Sequence, residues 1–154
     1  RNNDQVVVHE RTNARYLTTE QIPEAVEVIT CDASFISLTK ILPTPLSFAK
    51  EAAFLIALIK PQFEAGREKV GRKGIVRDPS VHREVLAKTI QSAESVGLAP
   101  EALDFSPITG GDGNIEYLLY GSVLSDKPSP PGEERIEAVV REAHESFKKK
   151  LEPS

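Results

Sequence analysis

The chain has 154 residues, of which 40% are hydrophobic and 27% are charged, and its formal net charge is −4. This length suits one domain with a single core, and the composition excludes a disordered or fibrous chain. The negative net charge of the whole chain does not indicate nucleic-acid binding. The single cysteine, Cys31, excludes an internal disulfide and is typical of a reducing compartment, so we expect a cytoplasmic protein. The three scattered histidines have no cysteine partners at ligand spacing, and we predict no metal site.

Two strands are predicted near the start of the chain. Val6 to His9 is a short β-branched run, and a polar loop over residues 10–15 follows it. A second strand alternates over Val26 to Cys31 and ends at Asp32. Asp32 therefore stands at the carboxyl end of a strand.

Short helices are predicted between the second strand and the next one. A helical stretch begins near Ala33 and is broken by Pro43 and Pro45. Thr44 before Pro45 is a favourable cap and first-turn pair, which predicts a short helix to about Glu51.

A run of seven apolar residues from Ala53 to Ile59 predicts a central strand that is buried on both faces. The run is too short to cross a bilayer, and we predict no stable membrane insertion. It ends abruptly at Lys60. Because ligands in open α/β sheets collect at the carboxyl ends of parallel strands, this cation is a candidate site residue.

A basic segment follows the central strand. Residues 60–77 contain six cations and two acids, so that six minus two gives a local charge of +4. Its glycines predict a loop, which is more often a solvated surface than a nucleic-acid site. Five of these cations are candidate RNA contacts if the protein binds RNA: Arg67, Lys69, Arg72, Lys73 and Arg77.

The second half of the chain predicts two helices and a hairpin. Asp78 caps a helix that Gly97 closes, and His82 in its first turn is expected at the surface. Residues 102–108 and 115–123 predict an antiparallel hairpin, and a final helix runs from Glu133 to about Leu151. We divide the chain into a domain over residues 1–124, a proline-rich linker over 125–132, and a C-terminal helix over 133–154 that packs on the same domain.

These elements predict an α/β three-layer sandwich whose last strand is antiparallel. In that arrangement Asp32, Lys60 and Glu116 meet at one rim of the sheet, because an antiparallel strand begins where its parallel neighbour ends. Each residue also has a structural interpretation. Asp32 could cap the helix after it, and Lys60 with Glu116 could form a structural ion pair.

Several sequence runs resemble the TlyA family, also called hemolysin A proteins. These are S-adenosylmethionine-dependent ribosomal RNA 2′-O-methyltransferases with an FtsJ-like (RrmJ) catalytic domain. The similarity extends over nearly the whole chain in the family's order. The runs are Glu10-Arg11-Thr12-Asn13-Ala14-Arg15, Cys31-Asp32-Ala33-Ser34-Phe35-Ile36-Ser37-Leu38, Leu58-Ile59-Lys60-Pro61-Gln62-Phe63-Glu64, Gly74-Ile75-Val76-Arg77-Asp78-Pro79, and Ser106 to Gly110 with Gly113-Asn114-Ile115-Glu116-Tyr117.

The resemblance implies a Rossmann-like methyltransferase fold and a catalytic tetrad of lysine, aspartate, lysine and glutamate. The last three match Asp32, Lys60 and Glu116. Lys60 would then position or deprotonate the ribose 2′-hydroxyl, and whether it acts as a base or as an electrostatic clamp stays open.

The resemblance also implies binding residues. The cofactor is expected near two groups, the loop residues Glu10, Arg11, Asn13 and Ala14 and the strand-end residues Asp32, Ala33 and Ser34. The basic segment is expected to contact phosphates of ribosomal RNA.

The chain departs from the family pattern at its start, because the family's first catalytic lysine and glycine-rich cofactor loop have no counterpart here. We therefore expect the chain to be the C-terminal portion of a longer protein's catalytic domain, without the first two strands of that domain. By itself the chain should be inactive and should bind S-adenosylmethionine weakly or not at all. Micromolar binding in a calorimetric titration would contradict this expectation.

Two further hypotheses follow. Loss of the family's first strand would leave Val26 to Cys31 at an exposed sheet edge, through which a homodimer could form. The alternative functions are a non-enzymatic RNA-binding protein and a membrane-acting, hemolysin-like protein.

Overall fold

The computed structural model describes residues 2–123 and 129–151. Their strands are β1 (Val26–Cys31), β2 (Ala49–Ile59), β3 (Ala99–Phe105) and β4 (Tyr117–Ser122). Their α-helices are α1 (Leu38–Ile41), α2 (Pro43–Ser47), α3 (Pro61–Glu64), α4 (Pro79–Ser95) and α5 (Glu133–Leu151). Short 3-10 turns occur at Ala14–Tyr16, Arg67–Lys69 and Arg72–Gly74.

The four strands form one sheet in the order β1-β2-β4-β3. β1 and β2 are parallel, with Cys31 opposite Ala57, whereas β4 is antiparallel to both β2 and β3. Ile59 at the end of β2 lies opposite Tyr117 at the start of β4. The predicted α/β class with an antiparallel last strand is confirmed, and the carboxyl ends of β1 and β2 share a rim with the start of β4.

The core lies on one face of this sheet. Alternate β2 residues Leu55, Ala57 and Ile59 are fully buried there, against Leu86 of α4 and Val140 of α5. On the opposite face Val28 is 52% exposed and Ile56 is 38% exposed. The seven-residue apolar run therefore has one buried face and one partly exposed face.

The long helices follow their predicted signals. The Asp78 side chain accepts a hydrogen bond from the backbone N–H of Ser80, and Pro79 occupies the first turn. Gly97 ends α4 with a φ of +97°, a conformation that favours glycine. One apolar face of each long helix is buried. Its residues are Val81, Val85, Leu86, Ile90 and Ala93 in α4, and Ile136, Val139, Val140 and Ala143 in α5.

Two predicted elements were wrong. Val6 to His9 is not a strand, and all three valines are exposed, because no neighbouring strand among the described residues pairs with them. The predicted helix to Glu51 ends at Ser47, and β2 begins at Ala49. Thr44 does not cap it but donates a hydrogen bond to the backbone oxygen of Arg15, so the proline pair sets the helix start instead.

The first half of the predicted linker over 125–132, residues 125–128, lies outside the described residues. Within the described part of the chain, α5 packs against α4 and β3. No helix there has the length and apolarity needed to span a bilayer.

Candidate active site

Asp32, Lys60 and Glu116 lie together at the carboxyl-end rim of the sheet. Asp32 directly follows β1, Lys60 directly follows β2, and Glu116 directly precedes β4. The parallel β1–β2 register and the antiparallel β2–β4 register bring these three positions side by side. The predicted juxtaposition is confirmed, while the catalytic roles stay predictions.

The Lys60 ammonium lies between two carboxylates. Its Nζ is 2.6 Å from Asp32 Oδ1 and 3.8 Å from Glu116 Oε1. The side chains of Lys60 and Glu116 are 12% and 11% exposed, whereas that of Asp32 is 68% exposed. Glu116 is thus the inner partner, and Asp32 is accessible to a ligand at the rim.

The loop after Asp32 is fixed to the same rim. Lys60 Nζ donates to Ser34 Oγ at 3.4 Å. Glu64 of α3 accepts hydrogen bonds from Ser37 Oγ at 2.6 Å and from the Leu38 backbone N–H at 2.7 Å. Glu64 therefore ties α3, which follows Lys60, to the loop that carries Ser34. The sequence interpretation assigned no role to Glu64, although it closes one of the family-like runs.

Glu116 is held closely by the preceding loop. A Cβ on Gly110 would lie 2.7 Å from Glu116 Oε1, which is too close for a side chain at that position. The Glu116 backbone oxygen also accepts a hydrogen bond from Ser106 N–H at 2.8 Å. A glycine at position 110 is therefore needed for the carboxylate to take this place beside Lys60.

The first group of predicted cofactor residues is on the surface. Glu10, Arg11, Asn13 and Ala14 are exposed, and the Asn13 side chain accepts a hydrogen bond from the Arg15 backbone N–H. The turn that begins at Ala14 contacts α2 and α1. The second group, Asp32 to Ser34, lies at the rim with Lys60. The rim group therefore has the stronger geometric support as a binding site.

Lys69 is in an ion pair, whereas the other four residues of the basic segment are exposed and form no ion pair with an acid among the described residues. Lys69 Nζ lies 2.5 Å from Glu84 Oε2 of α4, which leaves Lys69 less available for phosphate than Arg67, Arg72, Lys73 and Arg77.

The buried side chain of Asn114 fixes the end of this segment. It accepts a hydrogen bond from the Val76 N–H at 3.0 Å and donates one to the Gly74 oxygen at 2.9 Å. Asn114 is only two residues before Glu116. The basic segment and the inner carboxylate are thus held by one short stretch of chain.

The prediction that His82 lies at the surface was wrong. His82 is fully buried, and its ring contacts the oxygen of Val76 through Nε2 at 3.0 Å and the hydroxyl of Tyr117 through Nδ1 at 2.7 Å. Since the Val76 carbonyl only accepts, Nε2 carries the proton and Nδ1 accepts from Tyr117. The helical period offered a signal, because His82 precedes the buried Leu86 by one turn.

Burial shifts several pKa values in this region. Desolvation lowers the pKa of His82 from 6.5 to about 4, opposed by its hydrogen bond to Val76. Desolvation likewise lowers the pKa of His144, whose Nε2 is 3.4 Å from His82 Nδ1. Burial, followed by the Asp32 charge, raises the pKa of the Cys31 thiol, which is partly buried. Cys31 is therefore a protonated packing residue and not a nucleophile.

Comparisons with known proteins identify the family of this chain. The FtsJ-like methyltransferase family model matches residues 1–123. YqxC of Bacillus subtilis, named as a candidate rRNA methyltransferase, is 48% identical over 97% of this chain and 54% of its own length. The 16S/23S rRNA (cytidine-2′-O)-methyltransferase TlyA of Mycobacterium tuberculosis is 39% identical over 82% of this chain and 47% of its own length. The chain thus spans about half the length of these relatives.

Solved structures give the same result. A candidate hemolysin from Streptococcus thermophilus superimposes with a TM-score of 0.91 at 40% identity, covering 99% of this chain and 55% of that one. A candidate hemolysin from Lactococcus lactis gives a TM-score of 0.80 at 36% identity, covering 92% and 67%. The resemblance and the Rossmann-like fold are confirmed, and the chain belongs to the FtsJ-like methyltransferase family.

Proposed function

We propose that this chain is the part of an S-adenosylmethionine-dependent ribosomal RNA 2′-O-methyltransferase that acts on the ribose hydroxyl. The observation that carries the proposal is the Asp32–Lys60–Glu116 cluster, with its ammonium between two carboxylates. The names of the M. tuberculosis TlyA relative and of YqxC support the substrate class.

The cluster suits methyl transfer to a hydroxyl. A ribose 2′-hydroxyl is a poor nucleophile, and a cation held within hydrogen-bond reach can orient it and stabilise the charge that develops on its oxygen. The methyl donor would supply the methyl group and keep the electron pair of its broken C–S bond as the O–C bond forms, and the hydroxyl proton would pass to solvent or to an unprotonated Lys60. Glu116 and Asp32 hold the Lys60 ammonium in place before the hydroxyl binds. The cation therefore does not have to move during the reaction.

The rim also fits the amino-acid end of the proposed cofactor. When bound, S-adenosylmethionine supplies an electrophilic methyl group on a sulfonium. The exposed carboxylate of Asp32 suits an ammonium group, and the hydroxyl of Ser34 suits a carboxylate. We propose that Asp32, Ala33 and Ser34 hold this end, and that Glu10, Arg11, Asn13 and Ala14 lie toward the adenosine.

We propose RNA phosphates as the ligands of the exposed cations in the basic segment, with Arg67, Arg72, Lys73 and Arg77 contributing more than Lys69. Cations near phosphates provide most of the affinity of such surfaces, and the binding weakens steeply with salt. The proposed setting is cytoplasmic, where ribosomal RNA is available.

The proposed reaction is tested by the chemical identity of the product. The longer protein that contains this chain is incubated with ribosomal subunits and methyl-labelled S-adenosylmethionine, and the RNA is digested to nucleosides. We expect the label in a 2′-O-methylnucleoside. Label found only in a base-methylated nucleoside would refute the assignment, since the proposed cluster activates a hydroxyl.

A homodimer through β1 remains a separate proposal. β1 pairs only with β2 among the described strands, and Val28 and Thr30 are exposed along it. An edge with free backbone groups can pair with a second copy. Light scattering of this chain should give twice the monomer mass, and a monomer across a broad concentration range would refute the dimer.

A further inference from the structure

Asn114 is a buried polar residue whose side chain is bound on both its oxygen and its nitrogen. It is 1% exposed and stands in the loop before β4. Its Oδ1 accepts the Val76 N–H at 3.0 Å, and its Nδ2 donates to the Gly74 oxygen at 2.9 Å. These partners are 38 and 40 residues away in sequence. A buried amide with both groups bound to one distant segment fixes the position of that segment.

The end of the basic segment is fixed from a second side as well. The Val76 oxygen accepts a hydrogen bond from His82 Nε2 of α4 at 3.0 Å, and Val76 itself is buried. The turn that precedes Val76 is closed by the Gly71 N–H, which donates to the Ile75 oxygen at 3.0 Å. This turn is therefore held at its base by Asn114 and His82, while its tip projects into solvent.

The tip of the turn contains a cation with an unusual backbone. Lys73 has a φ of +70° and a ψ of +16°, in the left-handed region that residues with a side chain rarely adopt. Lys73 is exposed and forms no ion pair with an acid among the described residues. A strained residue of this kind persists only where the surrounding structure holds it, and such residues are concentrated at functional sites.

The turn is close to the candidate active site. Asn114 is two residues before Glu116, a span of at most about 7 Å, and Glu116 Oε1 is 3.8 Å from Lys60 Nζ. The Asn114 backbone oxygen also accepts a hydrogen bond at 2.9 Å from the N–H of Gly110, the glycine that approaches the Glu116 carboxylate. An RNA strand that brings a ribose to Lys60 therefore also brings its phosphates toward Lys73.

We propose that Asn114 is a positioning residue that holds the Arg72–Gly74 turn for RNA binding. Held in this way, Lys73 meets a backbone phosphate of the strand whose ribose lies at Lys60. The proposal rests on the proposed function and adds to it the residue that fixes a phosphate contact. Asn114 is buried and does not touch the RNA itself. A lysine on a fixed backbone loses less freedom on binding than one on a loose loop, so the same charge gives more affinity.

The salt dependence of RNA binding distinguishes this role from a purely structural one. The longer protein that contains this chain is titrated with ribosomal subunits at fixed magnesium and several monovalent salt concentrations. Asn114→Ala should weaken binding by about tenfold, the order expected for one hydrogen bond to a charged group. It should also lower the slope of log affinity against log salt by about 1, as for one lost phosphate contact.

A variant that had only lost stability would give a different result. Fewer of its molecules would bind, but each would make the same phosphate contacts, so the slope would equal that of the wild type. A wild-type slope in Asn114→Ala would overturn the proposal.

A double-mutant cycle provides the second test. Lys73→Ala should weaken binding by about tenfold in the wild-type protein. In Asn114→Ala the same change should weaken it by no more than about twofold, because the released turn no longer presents the lysine. Arg67→Ala is the matched control, since Arg67 is an exposed cation of the same segment outside the turn. Its effect should be equal in both backgrounds. Equal effects of Lys73→Ala in both backgrounds, or none in the wild type, would refute the positioning role.

Folding is controlled separately. Asn114→Ala leaves the buried Val76 N–H without its acceptor, so the thermal midpoint should fall, and binding is measured well below it. If the alanine variant does not fold, Asn114→Ser takes its place, because its hydroxyl keeps a polar atom at the site but is too short to reach both partners. The serine variant should show the same lower slope and the same coupling to Lys73. Wild-type slope and additive effects in that variant would contradict the proposal.

These binding measurements need no methyl donor. Coupling between Asn114 and Lys73 in a protein that methylates no ribose hydroxyl would leave the positioning role intact and remove the proposed reaction. Additive effects in a protein that forms a 2′-O-methylnucleoside would remove the positioning role and leave the reaction intact.

Discussion

Lys60→Ala should lower methyl transfer to ribosomal RNA by about 10²–10³-fold or more in the longer protein that contains this chain, as is typical for the loss of one preorganised stabilising group. The alanine removes the cation and leaves Glu116, which is 11% exposed, without its partner. Single-turnover measurement with labelled methyl donor gives the rate, and RNA affinity is measured separately. Most of the loss should lie in the rate and not in the affinity.

The same strand supplies the control. Lys50 lies near the other end of β2 and is paired with Glu27 at 2.8 Å, far along the sheet from the rim. Lys50→Ala should keep the wild-type rate. Equal loss in both variants would show a general effect on the sheet and would refute the role of Lys60.

Lys60→Arg distinguishes the two roles that the sequence left open. A guanidinium keeps the positive charge but does not release a proton in proteins, so it replaces an electrostatic clamp and not a base. Substantial activity in this variant would favour the clamp. A loss as large as that of the alanine variant, together with loss of the wild-type pH dependence of the rate, would favour the base.

The stability of the chain should fall by about 3 kcal/mol between pH 6.5 and pH 4 because of His82. Burial holds the folded-state pKa of His82 at about 4, below the ordinary 6.5. Above pH 6.5 the ring is neutral in both states and the full stability is present. As the pH falls toward 4, the unfolded chain binds a proton that the folded chain excludes. The unfolded state is thereby stabilised relative to the folded state. His144, whose pKa is lowered by burial, acts in the same direction, while Asp78 opposes the shift of both rings.

Urea unfolding followed by circular dichroism at several pH values measures this effect. His82→Gln should flatten the pH dependence and should cost about 1–3 kcal/mol at neutral pH, because Val76 and Tyr117 lose a buried partner. Tyr117→Phe is the control, since it removes a hydrogen bond to the ring but leaves the titrating group buried. It should lose stability at neutral pH and keep a pH dependence that is weaker than that of the wild type but stronger than that of His82→Gln, because Tyr117 donates only to the neutral ring. Identical slopes for wild type and His82→Gln would contradict the prediction.

Much of the fold could be predicted from local patterns. The apolar run that forms β2, the capped α4 and the amphipathic α5 each contain their own periodicity and end signals. The predictions for Val6 to His9 and for the segment before Glu51 were wrong. Pairing with a neighbouring strand, and not local propensity, decides whether these residues form a strand. The valines meet no neighbouring strand among the described residues. Lys50 and Glu51, in contrast, lie in β2 between Ala49, which pairs with Val26 of β1, and Ala52, whose N–H donates to the Val123 oxygen after β4.

The sequence by itself determined which residues meet at the rim. Strand direction and the period of two place Asp32, Lys60 and Glu116 at one end of the sheet, and the family-like runs indicate the chemistry. Only the tertiary structure decided how these groups are arranged and what surrounds them. The inner place of Glu116 beside Lys60 and the burial of His82 against Tyr117 depend on contacts between segments distant in sequence. A local pattern specifies the direction of a side chain, but its solvation and partners are set by what packs against it.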